Sequence, residues 1–255
     1  MQRSAYDGDR VEPDNAAMNT PASIRVELRP IAALSASEWD DIRAFGSRYF
    51  EGAFDASIRA KQELVLLRGA GNAIVGIGAV EMFDLVIDGR SATFIHAGNA
   101  AFADDTRGQS YVQRLGFRYF LRAKRRHPLR PVYLVYTTFS WRSYLMLTRN
   151  FMRSWPRIGR ELPVWERLVY TQLGQRLLGT RFDVAAGVAR NLDRRLRPDI
   201  AQIPPPLAAD RDLHYFVECN PGYASGDVLL CLAPLDWRNW AAVARRMLRR
   251  RRRSP

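Results

Sequence analysis

The residues that could do chemistry gather at one junction and on the strand that leads to it. The segment Asp104-Asp105-Thr106-Arg107-Gly108-Gln109-Ser110-Tyr111-Val112 closes a long extended pattern, turns through small residues and opens a basic helical pattern. The first amides of a helix lack internal partners and point outward beside the positive end of the helix dipole. A phosphate or diphosphate is therefore the ligand chemistry this spacing suits. Upstream, Glu81 interrupts a strongly apolar strand pattern, where a carboxylate is costly unless it is paired or used. A solvent-facing strand position is the plainer alternative. His96, on the strand running to the junction, is a candidate base at neutral pH, with a structural histidine as the alternative. Cys219, beside Glu218, and Cys231 read as inert buried thiols.

Patterning supplies the elements that must position these groups. Ile24 to Leu28 alternates as a half-buried strand ended by Pro30, and Ser35 or Ser37 caps a helix bearing Trp39, Ile42 and Phe45. Glu63 to Leu67, Ala73 to Val86 and Ser91 to Phe102 form an antiparallel meander, turning at 69–72 and 87–90, with a bulge near Gly76 or Gly78. A helix follows over about 110–126, its inward stripe Val112, Leu115, Tyr119 and Ala123, with Arg114, Arg118, Arg122 and Arg125 on another face. Val132 to Tyr136 reads as a buried strand and Trp141 to Phe151 as a helix. Strand, helix, strand and helix after a meander imply an α/β (α+β) mixed sheet, mostly antiparallel with one parallel pair and flanking helices. Residues 156–200 read as irregular helix with Trp165, Leu168, Val169 and Leu173 as its stripe. His214 to Glu218 and Asp227 to Leu232 read as two strands. Asp236 caps a last helix with Trp237, Trp240, Ala241, Ala244, Met247 and Leu248 on one face.

The chain has 255 residues, 47% of them hydrophobic, and a formal net charge of +13, ample for a sizeable core. Of its 39 basic residues only Lys61 and Lys124 are lysines. The excess charge sits in Arg107 to Arg130 and Arg245 to Arg253, which favours a local anion site over a diffusely basic surface. No apolar run is long enough to span a bilayer, and the polar start 1–22 lacks a signal core, so a cytoplasmic setting is expected. Two cysteines and three histidines without paired spacing make neither a disulfide framework nor a metal site. Gly76-Ile77-Gly78 lacks the third glycine of a dinucleotide loop, and Ser225 stands one place too late for a nucleophile elbow.

The order of elements and the Arg107 junction resemble the GNAT superfamily of N-acetyltransferases, whose pattern here is Arg or Gln, two residues, Gly, one residue, then Gly or Ala. Arg107 matches; Ser110 and Val112 stand where small residues are usual. The segment Ser143 to Phe151 looks like the family's second motif, with Phe151 matching, Asn150 in place of Gly and Met146 in the Tyr slot. The resemblance covers roughly 24–152 and weakly 213–233. It implies that Ala101, Phe102 and Ala103 on the strand end, with Arg107, Gly108, Gln109, Ser110, Tyr111 and Val112, bind acetyl-CoA or another acyl-CoA. It also implies that the preceding strand splays from its neighbour to pair with the pantetheine arm. Glu81, His96 and Tyr144 become candidates for base and acid in acyl transfer, and no metal is implied.

The expected organisation is a leader 1–22, a GNAT-like core 23–155, a helical insert and linker 156–210, a completing segment 211–248 and a basic tail 249–255. The expected function is acyl transfer to an amine of a small molecule or peptide. Acyl carrier protein is the alternative donor, met by the arginine face of the long helix. A non-catalytic relative is the other alternative, touching an anionic membrane through 237–253 or, less favoured, nucleic acid.

Overall fold

A computed structural model describes residues 24–106, 111–190 and 192–251. The leader 1–22 and the tail end 252–255 lie outside the described residues. Strand β1 (Arg25–Pro30) leads to α1 (Ala36–Gly46), which Ser35 starts with a capping box: its hydroxyl accepts from the Glu38 amide while the Glu38 carboxylate accepts from the Ser35 amide. Trp39, Ile42 and Phe45 then recur at helical spacing and are buried. Strand β2 (Phe50–Gly52) and helix α2 (Phe54–Arg59) precede the meander of β3 (Glu63–Arg68), β4 (Ile74–Ile87) and β5 (Arg90–Phe102).

Helix α3 (Tyr111–Arg126) crosses over to β6 (Val132–Thr138), and Lys124 steadies its exit by donating to the carbonyls of Pro128 and Arg130. Next come α4 (Trp141–Asn150), α5 (Val164–Leu178), β7 (Phe182–Asp183), β8 (Val188–Ala189), β9 (Arg194–Leu196) and α6 (Pro198–Ala201). The chain continues through α7 (Arg211–Cys219), β10 (Val228–Pro234) and α8 (Trp237–Arg251).

The main sheet has the order β1-β3-β4-β5-β6-β10-β8-β7, and β2 pairs with β9 in a small second sheet. Among the described strands β5 and β6 form the one parallel pair. One face carries Val65, Val80, Ile95 and Leu134 toward α3, α4 and α7; the other packs Leu66 and Ala79 against α1 and α2, and Phe94 and Val135 against α5. This is a mixed sheet with flanking helices, as the patterning implies.

The later half departs from expectation in three places. Residues 214–218 are not a strand but part of α7. Asp210 accepts from the Leu213 amide and starts a helix, and Leu213 and Phe216, three apart, are both buried on it; the Phe216 ring lies 5.2 Å from that of Tyr144. The segment 156–210 is only partly helical: it adds β7 and β8 to the edge of the main sheet, and β9 to β2. On α5 the expected stripe member Leu168 is exposed, while Glu166 and Tyr170 are buried. On α8 the buried face holds Asn239 and Val243, and Trp237 is 74% exposed. Asn239 sets that rotation by accepting from the Arg153 amide and donating to the carbonyls of Arg153 and Pro234. Trp240 turns inward onto Phe117 and Phe120, so the two tryptophans do not share an exposed apolar face.

Candidate active site

The pairing of β5 with β6 runs from Thr93↔Val132 to Ala97↔Tyr136 and stops, although β5 continues to Phe102 and β6 to Thr138. The strands part into a V. A bulge drives the parting: between Ile77↔Ala101 and Ala79↔Gly98, β5 carries one residue more than β4, and Asn99 takes φ +54°. The Asn99 amide donates to the Ser57 hydroxyl and to the Phe54 carbonyl, so α2 holds the bulge in place. The facing edges of residues 98–102 and 137–138 are left without the strand partner each would otherwise have.

Two cavities open from this V. One of about 120 Å³ runs between the sheet and α3, bordered at the V by Gly98, Ala100 and Thr137. The other, of about 350 Å³, lies at the mouth, with Tyr111 and Val112 from the start of α3 and the side chains of Arg142, Arg149 and Arg246. Arg149 pairs with Asp210 at 2.5 Å, and Arg246 donates to the Arg149 carbonyl at 2.8 Å. Arg246, from the C-terminal basic run, thus comes to the opening of α3, where it joins Arg142 and Arg149 of α4. Several cations around one concavity raise its affinity for an anion.

At the fork of the V, on the face toward α1 and α2, Glu81 and His96 stand directly opposite in register. His96 Nδ1 donates to Glu81 Oε1 at 2.8 Å, and its Nε2 accepts from the Thr137 hydroxyl at 2.9 Å. Lys61 Nζ lies 2.9 Å from His96 Nδ1. Burial strips hydration from the imidazole, and the Lys61 charge adds to it, holding His96 down at about 4. Desolvation lowers Lys61 to about 8, against the opposing pull of Glu81. Burial raises Glu81, but the hydrogen bond from His96 and the charge of Lys61 outweigh it and leave its carboxyl below the usual range. The cluster therefore holds a carboxylate, a neutral imidazole and an amine that exchanges protons near neutrality.

The sequence-predicted residues separate accordingly. Glu81 and His96 come together. Ala101 and Phe102 line the mouth cavity with Tyr111 and Val112, whereas the Ala103 amide is bonded to the Val75 carbonyl. Arg107, Gly108, Gln109 and Ser110 lie outside the described residues. Tyr144 is fully buried and its hydroxyl is committed to the Pro156 carbonyl at 3.1 Å, whereas Lys61 and His96, which border neither cavity themselves, meet the V through Gly98 and Thr137. Met146, in the position the resemblance gives to tyrosine, does line both cavities, with a thioether that has no proton to give. No motif marks Lys61. Its signal is rarity: with Lys124 it is one of two lysines in a chain that otherwise uses arginine. Among the described residues no group of His, Cys, Asp and Glu could hold a metal ion, and no helix is long and apolar enough to cross a membrane.

No protein-family model and no curated protein matches the sequence. Among solved structures, the chain is similar to the GNAT family N-acetyltransferase YhbS from Escherichia coli, in complex with CoA, at 19% identity over 60% of this chain and 73% of that one, with a TM-score of 0.34. It is also similar to an aminoglycoside acetyltransferase from an uncultured soil metagenomic sample, at 13% identity over 56% and 99% of the two chains, with a TM-score of 0.37. An acyl-CoA N-acyltransferase from Pseudomonas aeruginosa aligns at 15% identity over 44% and 79%, with a TM-score of 0.33. Likenesses this distant say nothing about the activity. The mixed sheet with its single parallel pair and splayed β5–β6 fork is the arrangement that the sequence resemblance implies.

Proposed function

We propose that this chain transfers an acyl group from a coenzyme A-type thioester to an amine. The observation that carries the reading is the parting of β5 from β6 with the Lys61–His96–Glu81 cluster at its fork. An extended amide-bearing arm suits the two open strand edges, because it can pair with backbone as a strand would. A diphosphate suits the mouth, where Arg142, Arg149 and Arg246 surround the opening of α3.

Acyl transfer forms a C–N bond, breaks a C–S bond and moves one proton from the amine to the departing sulfur. A group that carries that proton works best when its own pKa lies near the operating pH. Lys61, at about 8, meets that condition; His96, at about 4, does not. Lys61 in its amine form takes the proton from the attacking nitrogen and, as the ammonium, gives it to the thiolate. Glu81 and Thr137 fix the His96 ring beside it, while burial and the Lys61 charge keep that ring neutral. The need falls on Lys61 because Met146 supplies no phenol at the cleft. A second reading, a thioester borne by an acidic carrier protein, is favoured by Arg114, Arg118 and Arg125, exposed on the outer face of α3.

The test is release of free thiol from acyl-CoA donors in the presence of an amine panel, together with the melting temperature in CoA. The reading expects thiol release dependent on an amine and a higher melting temperature in CoA. Absence of both with every donor would overturn it.

A further inference from the structure

Helix α3 has a hole on its inward side. Val112, Gly116, Tyr119 and Ala123 recur at helical spacing toward the sheet, and Tyr119 and Ala123 are buried there. At Gly116 a Cβ would meet no atom within 4 Å, and the same is true of Gly78 on β4; both glycines border the 120 Å³ cavity. Glycine inside a helix is unfavourable relative to alanine, so its place on the inward stripe calls for a reason, and the space beside it is one. The walls are apolar: Val65, Val80, Ile95 and Leu134 from the sheet, Leu115 from α3 and Val243 from α8. A space of this size between packed layers weakens a core when left empty. A comparable engineered cavity of roughly 150 Å³ stays dry and takes benzene, so an apolar guest is the matching chemistry. The chamber is continuous with the fork, since Gly98, Ala100 and Thr137 border it too.

We infer that this chamber takes the hydrocarbon tail of the donor, so that the chain prefers a linear acyl thioester well beyond acetyl. The inference rests on the acyltransferase reading and names its donor class. The thioester group stays at the fork beside Lys61 while the tail passes between β5 and β6 and lies under α3. Gly116 then acts as a length gauge: a side chain there would fill the space the tail occupies.

Calorimetric titration of the wild type with CoA and with acetyl-, butanoyl-, hexanoyl- and octanoyl-CoA tests this, with free octanoate followed in parallel by tryptophan fluorescence. Each methylene that enters the chamber adds about fourfold in affinity, so hexanoyl-CoA binds roughly 200-fold more tightly than acetyl-CoA. Gly116→Leu removes that gradient and leaves CoA itself bound; Gly116→Ala, which adds little bulk, controls for folding through its melting temperature. Equal affinity along the series, or a gradient that survives in Gly116→Leu, overturns the chamber while CoA binding keeps the donor reading intact. If no coenzyme ester binds but octanoate binds the wild type and not Gly116→Leu, the chamber stands and the donor reading falls. Failure of every probe overturns both.

Discussion

Lys61 Nζ and His96 Nδ1 lie 2.9 Å apart, two groups that would repel if both were charged, and the carboxylate of Glu81 meets the same ring nitrogen at 2.8 Å. The arrangement is stable because only one of them is charged: His96 is neutral well below pH 7, and Lys61 gives up its proton far more readily than an exposed lysine. An arginine in place of Lys61 would supply the charge without the exchange, since a guanidinium stays protonated throughout.

Lys61→Arg is therefore expected to lower the acyl-transfer rate by about 100-fold or more while leaving CoA affinity and melting temperature near those of the wild type. In the wild type the rate should rise with pH through about 8, as the amine form of Lys61 fills, and this limb should be absent in the variant. Steady-state rates from pH 6 to 9.5 read both.

His96 makes stability depend on acid. Its folded value of about 4 lies below the ordinary 6.5, so the unfolded chain binds the extra proton between those limits. The contribution is fully present above pH 6.5 and is lost as pH falls through 4, amounting to about 3 kcal/mol. Urea unfolding at pH 6.5 and 4 should show a drop smaller by about that amount in His96→Gln.

Tyr144→Phe separates structure from chemistry. Its hydroxyl donates to the Pro156 carbonyl, so the substitution should cost about 1 kcal/mol in denaturant unfolding. The transfer rate should stay within about twofold of the wild type, since the phenol's proton is given to the Pro156 carbonyl.

Asn239→Ala should cost more, about 3 kcal/mol by the same measurement. The side chain is fully buried, and its removal strands the Arg153 amide and the carbonyls of Arg153 and Pro234 together.

What the sequence discloses is what local chemistry dictates. The Ser35 box, the turn at 69–72, the meander and the helix ending before His127-Pro128 each depend on neighbours in the chain, and each is legible. Glu81 and His96 stand out because each is polar within an apolar strand, and the meander then sets them opposite each other. Residues 214–218 mislead because a mixed run of five residues alternates as readily as it spirals; Asp210, four places upstream, decides it. The fork is expected only through the family resemblance and not from local pattern, because it depends on where β6 stops pairing and on Asn99 reaching α2. Arg246 likewise enters the mouth cavity only through the packing of α8 against α4. Lys61 was visible only as an exception to the chain's own habit of using arginine.

The central claim is that the V between β5 and β6 receives the coenzyme. Ala100, exposed at the rim and bordering both cavities, gives the most direct test: calorimetric titration of CoA into the wild type and into Ala100→Phe, each checked for unchanged melting temperature without ligand. The account predicts saturable binding to the wild type and a loss of at least about tenfold in affinity when the ring closes the V. Equal binding by both proteins would place the coenzyme elsewhere and contradict it.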